Sequence, residues 1–423
     1  MTAASGGRRV GAVALALLFG WCASPAGAQD GAGATDDTAA AEPSGDSLLD
    51  QSPEDVLGLT EREPLTPIPD HRAMRDSLDE GITYLISAQE ENGQWGIWED
   101  PAHAFWSNPH THHAWIAGTT GLVVSALLEG SEATEALEAA DKGLAFLVES
   151  PPLKRPSDWD TDHTWGFVYG LAGVNAALSH PRYDEHPLRE GLLDLARRCV
   201  KGLADTQSPD GGWGYYDMEV TTARPSWATS FQTAAALVEL MTVRGHGVAV
   251  PDTLVDASRR AVERCRLPNG AYAYSVDAVP NVGRATWINQ VKGSLSRIQV
   301  CNLALVLSGS ELIEPEHLTE GLDQFFEHHR FLDIARGKPV PHEAYYYNSG
   351  YFYFFGHYYG ARVLELLDPA DQVAYRGRLA REIVKCQEED GSMWDFYINT
   401  YHRPYGTAFG AMTLVRTLGR EAP

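Results

Sequence analysis

One short element recurs along this chain at the ends of apolar helical runs. "AQEENGQWGIW" (88–98) carries Gln89, Gly93 and Trp95, and "TQSPDGGWGYY" (206–216) carries Gln207, Gly211 and Trp213 at the same spacing. "CQEEDGSMWDF" (386–396) has Gln387 and Gly391, with Trp394 one residue late, and "RLPNGAYAY" (266–274) keeps Gly270 and puts Tyr272 in place of the Trp. A reacting group is needed once, whereas a joint is needed at every repeat. The element therefore reads as a joint. Its Gly suits the left-handed residue that ends a helix, its Gln can bond free main-chain groups, and its ring can lie across the next helix pair. Trp95, Trp213 and Trp394 are expected to be buried between neighbouring pairs.

The joints punctuate six helix pairs. First helices are expected near 72–88, 131–148, 186–206, 252–265, 315–330 and 369–387, and second helices near 112–128, 163–179, 226–243, 294–308, 348–367 and 403–418. The first set, as in "LREGLLDLARRCVKGLA", has apolar residues at helical spacing and one charged face. The second set, as in "TAFGAMTLVRTL", mixes Ala, Gly and Thr with Leu and Val and carries few charges, so it must be covered on nearly all sides. Outer and inner layers explain the contrast. The expected fold is all-α, an (α/α)6 toroid over residues 71–423. An open superhelical array of the same pairs is the alternative.

The Gln-x3-Gly-x-Trp spacing at helix exits resembles the QW motif of the squalene cyclase and protein prenyltransferase repeat superfamily. "PSWATSFQTAAALVEL" (225–240) is similar to the stretch that follows such a motif in triterpene cyclases. The likeness covers most of residues 72–420 and implies the toroid. It implies less about activity, because function resides in a site rather than in a repeat. Cyclases of this kind protonate an alkene with a D-x-D-D cluster. Here "SDWDTDHTWG" gives alternating Asp158, Asp160 and Asp162, then His163, without the adjacent Asp pair, and such cyclases are usually longer, with a second helical barrel. Prenyltransferase β-subunits hold zinc through Asp-x-Cys and a later His. Asn348 and Gly350 stand at the first two positions and only His402 matches, too few ligands for a zinc site that activates a thiolate. Neither activity is expected.

Arg8 and Arg9, a short apolar stretch and small residues up to Ala28 read as a secretory signal over 1–28, cleaved near Ala28. Residues 29–70 hold 11 acidic side chains and one Arg; with Pro, Ala, Gly and Ser between them they read as a disordered acidic linker. The mature chain is then exported, periplasmic or extracellular. No segment after the signal is long and apolar enough to span a membrane. A net charge of −24, with no stripe of Lys and Arg, argues against nucleic acid. Cys199, Cys265, Cys301 and Cys386 are widely spaced, and none sits in a CxxC pair. They read as buried free thiols, with a disulfide left open.

In a toroid all inner-helix entrances meet at one end of the ring. The candidates for chemistry there are Asp160, Asp162, His163, Glu343 and His402. The candidates for binding are His112, His113, Arg224, Trp227, Tyr347, Tyr401 and Arg403, with Arg224 and Arg403 placed to hold an acid. Helix starts carry free N–H groups and partial positive charge, and aromatic walls with scattered polar groups suit a small-molecule, lipid or glycan ligand. No ligand spacing identifies a metal or a cofactor, and nothing in the sequence sets the oligomeric state. The leading expectation is an exported repeat protein with a ligand-binding end pocket. One alternative is a polysaccharide hydrolase or lyase, which would pair Asp160 or Asp162 with Glu343 across a sugar. The other is a scaffold that binds a protein partner.

Overall fold

A computed structural model describes residues 66–98, 108–217, 224–277 and 287–419. The signal expectation over 1–28 and most of the linker expectation over 29–70 lie outside these residues. Among the described residues there are thirteen α-helices and no named strand. The outer helices are α1 (His71–Ser87), α3 (Thr134–Glu149), α5 (Arg189–Thr206), α7 (Asp252–Cys265), α9 (Pro315–Glu327) and α12 (Pro369–Val384). The inner helices are α2 (Pro109–Gly130), α4 (His163–Ser179), α6 (Ser230–Gly245), α8 (Val291–Leu307), α11 (Phe352–Leu364) and α13 (His402–Leu418), and a short α10 (Arg330–Ala335) follows α9.

The inner helices touch in the order α2, α4, α6, α8, α11, α13, and α13 packs on α2 again, so the ring is closed. This is the (α/α)6 toroid, and the open array is ruled out. Sequence explains the layers. On α5 only Leu192, Leu195, Ala196, Cys199, Val200 and Leu203 are buried, one stripe at three- and four-residue spacing. On α4 nearly every residue is buried. α2 and α4 approach closely because Gly121 and Gly173 face each other. A Cβ on Gly121 would stand 2.0 Å from the Tyr169 carbonyl oxygen. The four cysteines are free and buried.

The joints have one construction. Gln89 Nε2 donates to the carbonyls of Gly93 (3.0 Å) and of Ala139 on α3 (2.8 Å). Gln207 Nε2 donates to Gly211 O (2.9 Å) and Leu254 O on α7 (3.2 Å), and Gln387 Nε2 donates to Gly391 O (3.1 Å) and Ser77 O on α1 (2.8 Å). Each Gln thus ties its own turn to the next outer helix. The last of these bonds joins the final repeat to the first. Gly93, Gly211 and Gly391 have φ of 92°, 94° and 82°, and a Cβ on any of them would strike a backbone carbonyl of that same next helix. Trp95 and Trp213 are fully buried, and their indole N–H groups donate to Leu85 O (2.7 Å) and Leu203 O (2.9 Å). Their main-chain N–H groups donate to Thr120 and Thr233 on the inner helices.

The last joint corrects the sequence reading. Met393 takes the ring position: it is buried and its N–H donates to Thr407 Oγ1 at 2.8 Å. Trp394, one residue on, turns outward, is half-buried, and donates to Glu388 Oε1. A one-residue shift in an extended segment moves a side chain to the other face. Trp213→Ala should therefore lower stability by about 3–5 kcal/mol and Trp394→Ala by about 1 kcal/mol or less. Chemical denaturation of the two variants checks this, and equal losses would contradict the assignment.

Candidate functional site

The axis of the ring is blocked part-way by aromatic rings that meet across it. Phe231 on α6 packs on Phe352 (5.1 Å) and Phe355 (6.0 Å) of α11, and Tyr169 on α4 packs on Phe409 of α13 (5.7 Å). These helix pairs are not neighbours in the ring, so the rings form a floor. Beyond the floor, toward the inner-helix C-termini, the axis is filled by ion pairs. Glu239 accepts from Asn175 Nδ2 (2.8 Å) and from Arg362 (3.4 Å), and Arg416 pairs with Glu129 (2.5 Å). On the other side, at the inner-helix N-termini, Trp165, Tyr215, Trp227, Tyr351 and Tyr405 keep part of their surface open. We call this end of the ring the cup and its rim of described residues, at the inner-helix N-termini, the mouth.

Asp160 and Asp162 stand at that mouth, on the loop that leads into α4. Asp160 is pinned. Its Oδ2 accepts from Thr111 Oγ1 (2.5 Å) and its Oδ1 from the Asp162 N–H (2.9 Å). Burial pushes its carboxyl up, and the bonds from Thr111 and Asp162 with the nearby His112 and Arg155 pull against that. Asp162 is different. It is 6% exposed and directly precedes α4, yet its carboxyl caps none of the helix N–H groups. Burial holds it well above the usual carboxylate range, and the charge of Asp160 adds to the effect. Such surroundings favour the protonated form. Burial raises the hydroxyls of Tyr215 and Tyr351, and the charge of Asp162 adds a smaller push in the same direction.

Those hydroxyls belong to a network. Tyr215 and Tyr274 share a hydrogen bond through their hydroxyls. The Tyr274 and Tyr351 hydroxyls reach His342 Nε2 at 3.2 and 3.0 Å, and His342 Nδ1 donates to the Tyr347 carbonyl at 2.7 Å. Burial brings His342 down to about 4, so the ring is neutral, with Nε2 as the acceptor. Arg297 on α8 lies over the Tyr274 and Phe352 rings at 5.2 and 5.9 Å and donates to Tyr272 O and Ile288 O. Burial lowers its guanidinium to about 10, still charged at neutral pH. Asp395 is a second buried acid. It accepts from the Phe354 N–H (3.0 Å) and the Tyr405 hydroxyl (2.8 Å), and burial raises it to about 7.

The sequence candidates divide on this geometry. Asp160, Asp162 and Trp227 are at the mouth, with Trp227 edge-on to Tyr215. His112 is near Asp160, buried, and hydrogen-bonded to the Tyr401 hydroxyl, and both rings pack on Trp115. His113 is half-buried and lowered by burial and by His110. His163 is not brought to the mouth. It packs on Phe167, whose ring abuts Gly202 of α5, so it faces the outer layer, and burial lowers it to about 4. Glu343 is exposed and accepts from the Val340 N–H (3.1 Å); no bond or ion pair among the described residues joins it to Asp160 or Asp162. His402 donates to Asn399 O (2.6 Å) and packs on Trp394 and Tyr397. Arg403 turns to Ser392 and Asp390 at the last joint. Arg224 is exposed, and Tyr347 contributes its carbonyl to His342 rather than its hydroxyl to the cup.

Tyr215, Tyr274 and Asp395 were not singled out from sequence. A signal for them existed: each lies two residues after the buried side chain of a joint, at Trp213, Tyr272 and Met393. Asn348 donates to Lys292 O (2.9 Å), and a Cβ on Gly350 would lie 2.6 Å from Asp395 O, so these two positions serve packing. His329, Asp333 and Glu382 bring ligand-type atoms within 4.8 Å of one another outside the cup. Lys385 pairs with Asp333 (2.7 Å) and Arg381 with Glu382 (2.9 Å), so side-chain cations already neutralise that cluster.

Neither a family model nor a curated protein matches the sequence. Solved structures share the fold. An α-1,6-mannanase from Salegentibacter is 10% identical with a TM-score of 0.53, over 81% of this chain and 99% of that one. A cellobiose 2-epimerase from Bacillus thermoamylovorans is 12% identical with a TM-score of 0.53, over 82% and 98%. A type II terpene cyclase from Scytonema is 15% identical with a TM-score of 0.49, over 83% and 99%. The chain is similar to (α/α)6 toroids as a fold.

The upward shift of the Asp162 carboxyl has a consequence for stability. Its folded value lies above its unfolded one, so its contribution is fully present below the unfolded value and is lost as pH rises toward the folded value. Asp162→Asn escapes this loss. Its melting temperature should match the parent near about pH 4 and exceed it by pH 8. Thermal melts across that range check the sign, and a variant less stable at pH 8 than at pH 4, relative to the parent, contradicts it.

Proposed function

We propose that the cup is a binding site for a neutral organic ligand and that Asp162 is its acid. The observation that carries this reading is a carboxyl that is buried, caps nothing, and stands over a floor of aromatic rings. Isolating an acid this way is unfavourable for the fold, and such isolation is how a site keeps a proton donor at neutral pH. The floor, built from Phe231, Phe352, Phe355, Phe409 and Tyr169, is mostly apolar ring surface, and the Tyr169 hydroxyl is engaged with Tyr359. The inserted part of the ligand is therefore apolar, and its polar end meets the hydroxyls of Tyr215, Tyr274 and Tyr351 at the mouth. Asp160 holds the loop, and its charge keeps the Asp162 proton in place. Trp165 and Trp227 form the walls. Export of the chain belongs to the same proposal, with the cup meeting its ligand outside the cytoplasm.

A saccharide reading draws on the names of two fold relatives, a mannanase and an epimerase of cellobiose. For hydrolysis it needs a second carboxylate across the sugar, and Glu343 is engaged with Val340 instead. A panel of polyene or polycyclic lipids and of oligosaccharides, followed by tryptophan fluorescence, separates the two. Lipid-type binding is expected, weakened about tenfold in Trp165→Ala, or about 1.4 kcal/mol. Turnover, where found, should be lost in Asp162→Asn while binding remains. Binding of oligosaccharides alone, indifferent to both variants, would sink the reading.

A further inference from the structure

A second group of polar side chains lies outside the cup, where the turn before α10 meets α11 and α12. His329 directly precedes α10, and Phe325, Phe326 and Tyr353 fix its ring at centroid distances of 5.5, 6.4 and 5.5 Å. His329 Nδ1 stands 2.9 Å from Asp333 Oδ2 and 3.5 Å from Glu382 Oε2. His329 is 6% exposed and Glu382 3%. The other ring nitrogen decides the proton count. His357 Nδ1 donates to Tyr353 O (2.7 Å), and its Nε2 lies 2.9 Å from His329 Nε2. His357 is fully buried, and no carboxylate among the described residues bonds to it, so its ring stays neutral and Nε2 accepts. The proton between the two rings therefore belongs to His329 Nε2. In a ring with that single proton, Nδ1 is a lone pair facing two carboxylate oxygens. Three acceptors converge on one point, and only a cation joins them.

We infer that this point is a seat for a divalent transition-metal ion, zinc above all, held by His329 Nδ1, Asp333 Oδ2 and Glu382 Oε2. Zinc takes imidazole and carboxylate ligands at about 2.0–2.2 Å, which sets tetrahedral ligands about 3.3 Å apart. The two distances from Nδ1, 2.9 and 3.5 Å, bracket that spacing. Two of the ligands have outer partners that aim them, as metal sites do. His357 Nε2 receives the His329 Nε2–H, and Arg381 donates from Nε and Nη2, both at 2.9 Å, to Glu382 Oε1. Without an ion, a second proton on the His329 ring joins Nδ1 to Asp333, and Lys385 bridges the same carboxylates, at Asp333 Oδ1 (2.7 Å) and at Glu382 Oε2. Lys385 is the stand-in. Its side chain is 29% exposed on a flexible stem and turns to solvent as the ion enters. The exchange conserves local charge: a dication replaces one ring proton and one ammonium. Asp333, 37% exposed, opens the way in. The ion ties α10 to α12. The exit of α10 in turn holds the last joint, through Gly337 N–H to Asp395 O (2.6 Å) and Arg336 to Trp394 O (3.3 Å). This seat is separate from Asn348, Gly350 and His402, and it stands apart from the reading of Asp162.

The test uses the full chain, stripped with a chelator and then given Zn2+ or Co2+ alone. One ion per chain is expected, with the visible absorption of a tetrahedral site when the ion is Co2+. At about a hundred times its dissociation constant, Zn2+ should raise the melting temperature by about 3 °C or more. Asp333→Asn keeps the shape of the side chain and should weaken binding about tenfold or more. Lys385→Gln removes the competing ammonium and should tighten binding about tenfold. The two variants move in opposite directions, which a general loss of structure cannot produce. No binding by either the parent or Lys385→Gln overturns the site. Binding that Asp333→Asn leaves unchanged puts the ion elsewhere and overturns it too, as does a Lys385→Gln chain that binds no more tightly than the parent.

Discussion

Everything in this molecule hangs on one hydrogen-bonded joint. A glutamine amide at the exit of an outer helix donates to the turn that follows it and to a carbonyl one repeat further on. The glycine in that turn is left-handed, and its bare Cα lets the loop rest on the next outer helix. A buried side chain then crosses between layers, and its main-chain N–H ends on an inner-helix hydroxyl at Thr120, Thr233, Ser294 or Thr407. Each joint thus fixes three helices at once. A ring of helix pairs can close only if every pair is set at a repeatable angle to the next, and the bond from Gln387 to Ser77 completes the circle. Where Met393 replaces a ring, the hydroxyl bond survives, so the main-chain register is the constant and the aromatic is one way to fill the gap.

The joint also delivers the site. After crossing between the layers the chain runs on for two more residues, well ahead of the inner helices that begin at Ser230, Val291 and His402. Tyr215, Tyr274 and Asp395 arrive at the mouth this way, carried by a scaffold whose own bonds hold them still. Polar groups gathered there would weaken a packed core. The floor of Phe and Tyr rings separates them from the ion pairs of Glu239, Arg362 and Arg416 at the other end of the axis. Two polar regions of opposite purpose share one barrel because an apolar layer several rings wide lies between them.

The layers, the six pairs and their joints were legible in the sequence, because helical periodicity and a repeated turn are local patterns. α1 begins at His71 and α13 ends at Leu418, close to the expected bounds. The cup was legible only as a neighbourhood. Asp162 and His163 are adjacent in sequence yet point to the mouth and to the outer layer, since successive residues at a helix start are turned by about a quarter of the circle. Arg403 and Arg297 exchange roles for a similar reason. Arg403 lies at the first turn of α13 and faces the joint, whereas Arg297 lies a turn and a half into α8 and faces the rings of Tyr274 and Phe352. Radial direction depends on how each helix is rotated in the ring, and no short stretch of sequence contains that angle.

Burial disfavours the ionised form of both Asp160 and Asp162, and the bonds that each receives set how strongly. Both are buried, and both sit on one loop. Asp160 receives a hydroxyl and an N–H, the donors that let a carboxylate keep its charge away from water. The N–H it receives belongs to Asp162. The bond that satisfies the first acid therefore sets the backbone of the second, and leaves the second with its carboxyl beyond reach of the helix N–H groups it would otherwise cap. A charged Asp160 beside it then makes ionisation of Asp162 less favourable still. Removing the Thr111 hydroxyl would act on both acids at once: Asp160 would lose its stronger donor, and its negative charge, the second reason Asp162 stays protonated, would weaken with it. Ionisation of Asp162 is thus resisted from α2 as well as from its own loop, and the packing of α2 on α4 is what brings Thr111 there.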